Sequence, residues 1–241
     1  TYTDIKEREV TPILWIISGS IGGLLSLMEF LFDPDPPRIL AILLSIIIAF
    51  TVGFTFSYLG LLGGADFLAF LVVSIYHPWK PLLIKPLFDV MPLFIPSFII
   101  YSSLSSSLLA IYFLSSNLLF KRTKLLKQGG NFWRKILVLM IGKPIKMKDF
   151  MNSRFMYPLE EIKVLPGKGV LRRFRVTVDV NEPIEEKVED IRRMVERGLL
   201  SPDDHIWVTP GLPMMVFMLI GYFLAIYLGD LFIVLFISAL K

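Results

Sequence analysis

The sequence contains no cysteine and only two histidines among its 241 residues. Disulfide bonds, thiolate catalysis and cysteine-ligated zinc are therefore excluded. Neither His77 nor His205 has a second histidine or a carboxylate at the spacing that a helix-borne metal site needs. We interpret both as loop residues, and the sequence predicts neither a metal site nor a cofactor.

Charged residues are also few, at 19% of the chain, whereas apolar residues make up 54%. Soluble domains contain roughly 45–50% apolar residues, and a helix of about 20 apolar residues crosses the hydrocarbon core of a bilayer. We therefore predict an α-helical polytopic membrane protein with five transmembrane helices. The five apolar runs cover residues 12–32, 38–62, 67–76, 92–120 and 212–240.

The long polar region, 121–208, holds 19 of the 25 lysines and arginines and 12 of the 21 acidic residues. Alternation of apolar residues over 170–180 predicts a strand. A helix is predicted after Asn181, because apolar residues follow at helical spacing and Gly198 marks its end. The sequence thus predicts a small α+β domain at 121–208, between a membrane domain at 1–120 and a last transmembrane helix within 209–241.

The excess of basic residues places the 121–208 domain in the cytoplasm, because cytoplasmic loops are enriched in lysine and arginine. The 33–37 loop has two acidic residues and no basic one, which favours the outside. If the N-terminal segment is cytoplasmic and the five spans cross the membrane in alternating directions, the 33–37 loop lies outside and the 121–208 domain lies in the cytoplasm. This arrangement also puts Asp4 and Asp66 at cytoplasmic helix ends, at one depth in the membrane.

Two neighbouring carboxylates support one kind of chemistry without a metal or cofactor. They share a proton, so that their pKa values split. The ionised carboxylate takes a proton from water, and the protonated one polarises a peptide carbonyl and then protonates the leaving amine. Gly63 and Gly64 provide backbone that can turn sharply and admit a substrate strand. The pair Asp4 and Asp66 therefore predicts aspartic peptide hydrolysis.

A purely structural interpretation of the same residues stays open. Asp66 would then only cap a helix. Asp4 would be an interfacial charge paired with Lys6 or Arg8.

Three segments resemble the archaeal preflagellin and prepilin peptidases, which are membrane aspartic proteases of the GxGD type. The segments are 4–12, the motif Gly63-Gly64-Ala65-Asp66, and 205–213. The resemblance implies that Asp4 and Asp66 are the catalytic pair. It also implies that the substrates are archaeal preflagellins and prepilins, whose short basic leader is cut before a hydrophobic helix. It places the protein in the cell membrane of an archaeon.

Several features depart from this family. Ala65 stands where the family has its namesake glycine, and Leu68 stands where a lysine is common. The family has a helix just before its first catalytic Asp, so we expect a sixth transmembrane helix ahead of Asp4. Bacterial relatives add an N-methyltransferase activity and a cysteine-ligated zinc loop, and without cysteine we expect peptidase activity alone.

The remaining charged residues have open roles. Glu7 and Glu9 are candidate contacts for a basic leader, or partners of the neighbouring basic residues. Asp230 is interpreted as a charge at the outer interface rather than a buried contact. The basic domain could touch anionic lipid headgroups, and no aromatic-basic pattern demands nucleic acid. Alternative functions are a small transporter or channel subunit with Asp66 in an ion path, and a scaffold of an archaellum or pilus complex.

Overall fold

The computed structural model describes residues 10–32, 34–58, 62–80, 84–126, 132–165, 169–175, 184–211 and 213–240. The chain divides into two compact units. The first unit joins Thr1–Ser106 to Pro213–Lys241, and the second is Ser107–Leu212. The first unit is therefore built from two separate parts of the chain.

The described residues are mostly helical, with a small sheet component. The α-helices, in chain order, are α1 (Pro12–Phe32), α2 (Pro36–Tyr58), α3 (Gly64–Tyr76), α4 (Ile95–Leu119), α5 (Phe132–Ile141), α6 (Met147–Met151), α7 (Ile184–Glu196), α8 (Met214–Leu228) and α9 (Leu231–Ala239). A 3₁₀ helix covers Arg122–Leu125. The strands are β1 (Lys143–Lys146), β2 (Met156–Pro158), β3 (Glu160–Leu165), β4 (Gly169–Phe174) and β5 (His205–Pro210).

Three of the described helices, α1, α2 and α4, are long and apolar enough to cross a membrane. The predicted third and fifth spans correspond to shorter apolar helices, α3 with 13 residues and α8 with 15. Large apolar side chains of α1 and α2 are widely exposed. Exposure on this scale marks a surface that faces lipid or another apolar partner. The prediction of a helical membrane protein with a small sheet domain is confirmed. The predicted number of five spans is not confirmed.

Helices α1 and α3 of the first unit pack side by side and run in the same direction. Gly19 lies against Val72, and Gly22, one turn further, lies against Tyr76. The Tyr76 hydroxyl also donates a hydrogen bond to the Ser18 carbonyl. The contact positions rise together along both helices, so that the N-terminal ends of α1 and α3 lie at the same end of the pair.

Helix α2 runs opposite to α3. Near its end Gly53 packs against Phe67, at the start of α3. In the first half of α2, the Ser45 hydroxyl donates to the Pro78 carbonyl, just beyond the end of α3. The alternating directions of α1, α2 and α3 are those that the predicted threading requires.

Small residues bring α4 and α8 into close contact. A Cβ added at Gly221 would collide with the backbone and hydroxyl of Ser102, which is fully buried. Small residues at such contacts let helix backbones approach closely in membranes. The serine-rich sequence of α4 therefore has a packing role at Ser102.

We expect Gly221→Ala to lower the free energy of unfolding by about 1–3 kcal/mol, because the added methyl meets backbone that cannot move aside. Gly23→Ala is the matched control, since a Cβ at Gly23 meets nothing within 4 Å. The control should be neutral or up to about 1 kcal/mol more stable, because alanine favours helix over glycine. Thermal unfolding in detergent measures both changes. Equal midpoints for the two variants would contradict the close contact.

The last predicted span, 212–240, is not one helix. Helix α8 ends at Leu228, and α9 begins at Leu231. Gly229 has a φ of +60°, and a Cβ there would collide with the Phe88 carbonyl oxygen. Only glycine adopts such a conformation at low cost, so the break is specified locally.

The second unit is organised around β5. Its neighbours β1 and β2 are both antiparallel to it, and β3 and β4 form a separate antiparallel hairpin. Ile206 and Val208 pack into one apolar cluster, whereas Trp207 between them packs into another. This alternation follows from the two-residue period of a strand. Residues 205–213, one of the three segments that carry the family resemblance, thus include the central strand.

The predicted strand and helix of this unit are present in part. Strand β4 covers the first part of the predicted 170–180 strand, and 176–180 lie outside the described residues. Helix α7 packs Val188 and Ile191 against the cluster that contains Ile206. Gly198 follows α7 with a φ of +70°, as expected of a glycine that ends a helix.

Candidate active site

Asp66 lies in the first turn of α3, at the third helical position. Gly63 occupies the cap position, and its backbone N–H donates to Asp66 Oδ2 at 3.3 Å. Gly63 has no side chain to return a hydrogen bond, so only one half of a capping box is present. The N-cap residue is Gly63, and Asp66 follows it by three positions. The interpretation of Asp66 as the N-cap residue itself is therefore wrong. The N-terminal end of a helix still favours its negative charge.

The glycines of the motif are not needed for a sharp turn, which was one of the two reasons predicted for them. Gly63 has a φ of −72°, and Gly64 is helical without a positive φ, so that the turn needs no glycine freedom. A Cβ at Gly63 would lie 3.2 Å from Asp66 Oδ2. A side chain at Gly63 would therefore crowd the carboxylate, and glycine leaves room for it.

Ala65 is the second residue of α3. Alanine is the most favourable residue inside a helix, whereas glycine costs about 1 kcal/mol there. The alanine that departs from the GxGD pattern is therefore compatible with the local conformation that holds Asp66.

The Asp66 side chain is half-buried at the edge of the apolar core of the first unit. Leu62, just before the motif, packs against this core. Phe67, the next residue, meets the Phe50 ring edge-on and lies against Gly53. Because Leu62 and Phe67, before and after Asp66 in the sequence, are held by apolar packing, the start of α3 is fixed. The backbone position of Asp66 is fixed with it.

Asp4, Glu7 and Glu9 lie outside the described residues, so that their roles stay predictions. The chain that carries them enters α1 at Pro12. Because α1 and α3 are parallel, this entry point and Asp66 lie at the same end of the helix pair. Asp4 lies eight positions before Pro12, and an extended chain over that interval reaches up to about 29 Å.

No group of three or more histidines, aspartates or glutamates that could hold a metal ion occurs within the described ranges. His77 is not a plain loop residue. It follows the last turn of α3, and its Nε2 lies 2.8 Å from the Tyr222 hydroxyl. His205 is exposed at the start of β5. His77 thus joins the end of α3 to Tyr222 of α8.

A second polar cluster, at the opposite end of α3 from Asp66, contains a buried carboxylate that sequence reasoning assigned to the outer interface. Asp230 is 1% exposed, so that assignment is wrong. Its Oδ2 accepts hydrogen bonds from the Lys80 ammonium at 2.5 Å and from the backbone N–H groups of Val90 and Met91, each at 2.7 Å. Its Oδ1 accepts a hydrogen bond from the Ser97 hydroxyl. We call these five residues the Asp230 cluster.

The Asp230 cluster ties three parts of the first unit together. Lys80 follows α3, Val90 and Met91 belong to the segment before α4, and Asp230 separates α8 from α9. An uncompensated charge inside a membrane unit is costly, so that paired charges there fix structure or serve function. Two sequence signals point to the cluster, namely the pair Gly229-Asp230 inside an apolar run and a lysine within the proline-rich stretch after α3.

Comparisons with known proteins agree with the sequence motifs. Residues 134–231 match the family model described as Archaeal Peptidase A24 C-terminus Type II. A preflagellin peptidase of Methanococcus voltae is 24% identical over 94% of this chain and 89% of the relative. A preflagellin peptidase of Methanocaldococcus jannaschii is 21% identical over 98% of this chain and 91% of the relative. The resemblance that the motifs predict is thereby confirmed, since the chain is similar to archaeal preflagellin peptidases over nearly its whole length.

Proposed function

We propose that the protein is a membrane aspartic endopeptidase that removes the short basic leader of archaeal preflagellins or prepilins at the cytoplasmic face. The observation that carries this proposal is the parallel packing of α1 and α3. It supports an arrangement in which the segment with Asp4 and the first turn with Asp66 meet at one end of the first unit. The similarity to preflagellin peptidases supports the reaction and the class of substrate.

In the proposed mechanism, Asp4 and Asp66 share one proton. The ionised carboxylate takes a proton from a water molecule, which attacks the scissile carbonyl carbon while the protonated carboxyl polarises the carbonyl oxygen. The tetrahedral intermediate collapses as the carboxyl that polarised the carbonyl gives its proton to the leaving amine, so that the pair again holds one proton. The hydrogen bond from the Gly63 backbone N–H to Asp66 Oδ2 orients that carboxylate.

The proposed membrane arrangement has α1, α2, α3, α4 and the α8–α9 segment as its five spans. The basic region 121–208 is then a cytoplasmic domain, set between membrane parts at 1–120 and 209–241. Helix α3 rises only about 20 Å, which is less than the roughly 30 Å of the hydrocarbon core. A short α3 keeps Asp66 close to water at one end, as a hydrolase needs.

Substrate selection in this proposal is electrostatic and topological. The basic leader stays on the cytoplasmic side by the positive-inside rule, so that the bond to be cut arrives at the end of α3 that carries Asp66. Glu7 and Glu9 would attract the leader. No methyl-transfer activity and no cofactor are part of the proposal. The transporter alternative gains no support from the two relatives, which are both peptidases.

The proposal is tested with detergent-purified protein and a synthetic preflagellin. Asp4→Asn should lower the cleavage rate by a factor of about 10³ or more, since an amide cannot exchange the proton. Asp35→Asn is the control, because Asp35 is an exposed carboxylate just ahead of α2, away from Asp66. We expect the control to cleave at the rate of the unmodified protein. Full activity in Asp4→Asn would exclude the two-carboxylate mechanism.

A further inference from the structure

The second unit exposes large aromatic side chains on both sides of the 127–131 segment. At the end of α4, Phe120 is 70% exposed, and at the start of α5 Phe132 and Trp133 are 68% and 69% exposed. Further along α5, Val138 and Leu139 are buried in the apolar cluster around Trp207. Helix α5 therefore begins with an exposed aromatic turn and packs into the core with its second half.

Basic residues accompany these aromatic side chains. Lys124 and Arg134 are exposed, and Arg122 and Lys135 are partly exposed. The Arg122 guanidinium lies over the Phe120 ring at 5.1 Å. None of the four basic residues pairs with a carboxylate in the part of the chain that the structure describes. We call the seven residues the aromatic–basic surface, namely Phe120, Arg122, Lys124, Phe132, Trp133, Arg134 and Lys135.

The charge around this surface has a single sign over a long stretch. Between Asp89 and Asp149 the sequence contains no acidic residue, and residues 121–148 contain nine lysines and arginines. A protein partner with a mixed-charge surface would meet no carboxylate here. A partner that presents a continuous negative charge with an apolar layer behind it fits both the basic and the aromatic side chains of this surface.

The position of the surface is fixed relative to the end of α4. Asn117, fully buried in the last turns of α4, donates its side-chain N–H groups to the carbonyls of Leu139 and Gly142. These carbonyls belong to the C-terminal end of α5, where the helix leaves carbonyls without intrahelical partners. Helix α5 is thus fastened to the end of a 25-residue apolar helix that is long enough to cross a membrane.

We propose that the aromatic–basic surface binds the headgroup layer of the membrane in which α4 is embedded, and that it prefers anionic lipid. Aromatic residues concentrate at the level of the headgroups, and a helix with an aromatic face and basic residues lies in the plane of the interface. Lysine and arginine close to the surface are attracted by anionic lipid. Phe132 and Trp133 enter the apolar boundary, while the basic side chains contact the phosphates. The proposal is independent of the peptidase reaction.

The absence of native cysteine allows a direct test of depth. Trp133→Cys carries a single nitroxide label in the full chain, reconstituted in bilayer discs of phosphatidylcholine with or without phosphatidylglycerol. We expect the nitroxide at position 133 to collide more often with oxygen, which dissolves in lipid, than with a water-soluble nickel chelate. Glu196→Cys, at the exposed end of α7, is the control and should show the reverse order. Phe132→Cys gives a second labelled position if the first variant folds poorly.

The preference for anionic lipid is tested by changing the four basic residues together to glutamine in the Trp133→Cys protein. When the four basic residues are present, we expect phosphatidylglycerol to move the label deeper into the bilayer. After the four residues are changed to glutamine, we expect phosphatidylglycerol to leave the depth of the label unchanged. Equal water exposure at positions 133 and 196 would overturn membrane contact. Broadening between labels that grows with protein concentration would show contact between copies instead. A phosphatidylglycerol effect that survives neutralisation would overturn the role of the basic residues.

Discussion

Asp66→Asn is expected to abolish cleavage of a preflagellin while the protein keeps its fold. Asparagine has nearly the shape of aspartate, and its side-chain oxygen can still accept the hydrogen bond from the Gly63 backbone N–H. The start of α3 is then preserved. The proton exchange of the proposed mechanism is lost, and we expect the rate to fall by a factor of about 10³ or more.

Asp66→Ala separates the two roles of this carboxylate. Alanine removes the hydrogen-bond acceptor as well as the acid, so that the variant should lose about 0.5–2 kcal/mol of stability in addition to its activity. The midpoint of thermal unfolding and the cleavage rate are measured on the same preparations of both variants. If Asp66→Asn cleaved normally, Asp66 would only support the helix start, as the structural interpretation of the sequence holds.

Asp230→Ala is expected to give the largest loss of stability. The change leaves the Lys80 ammonium, whose side chain is 8% exposed, with only the half-exposed Asp89 carboxylate as a partner. The backbone N–H groups of Val90 and Met91 lose their acceptor at the same time. Removal of one partner from a buried ion pair costs about 3–5 kcal/mol. For a protein of this size, this loss lowers the unfolding midpoint by on the order of 10 °C.

Asp203→Ala is the matched control for this measurement. Lys146 and Lys148 hold the pKa of the Asp203 carboxyl below its ordinary value, but this side chain is 65% exposed. Exposed ion pairs contribute little, so that the midpoint should stay where it is. An unchanged midpoint in Asp230→Ala would show that the Asp230 cluster does not hold the first unit together.

A double variant tests whether the charges or the hydrogen bonds matter more. Lys80→Met with Asp230→Asn removes both charges but keeps an acceptor for the neighbouring N–H groups. Because no buried charge is left, and the Asp89 carboxylate that also contacts Lys80 is 51% exposed, we expect the double variant to be more stable than Asp230→Ala. A double variant that unfolds below Asp230→Ala would show that the ion pair itself is strongly stabilising.

The long helices could be predicted from the sequence because their signals are local. The first span, predicted at 12–32, coincides with α1, since proline suits the first helical turn at Pro12. The break at Gly229 could not be predicted in the same way. Its conformation depends on the Phe88 carbonyl, which lies far away in sequence, and an apolar run gives no sign of that contact.

The candidate site was predictable in part for the same reason. The motif around Asp66 is local, and charge patterning suggested which end of the membrane unit it occupies. The reason for glycine at position 63 was not predictable, because it depends on where the Asp66 carboxylate turns back. Asp230 was misassigned because its partners, above all Lys80, come from a distant part of the sequence.

The hydrogen bond between Lys80 and Asp230 also sets an order of events during synthesis. The two residues are 150 positions apart, and the whole second unit is translated between them. When the first four helices have left the ribosome, the Lys80 ammonium has no Asp230 to receive it. Long-range contacts of this kind form late. The nascent first unit therefore stays open until α8 and Asp230 have been made, and the second unit has time to fold first.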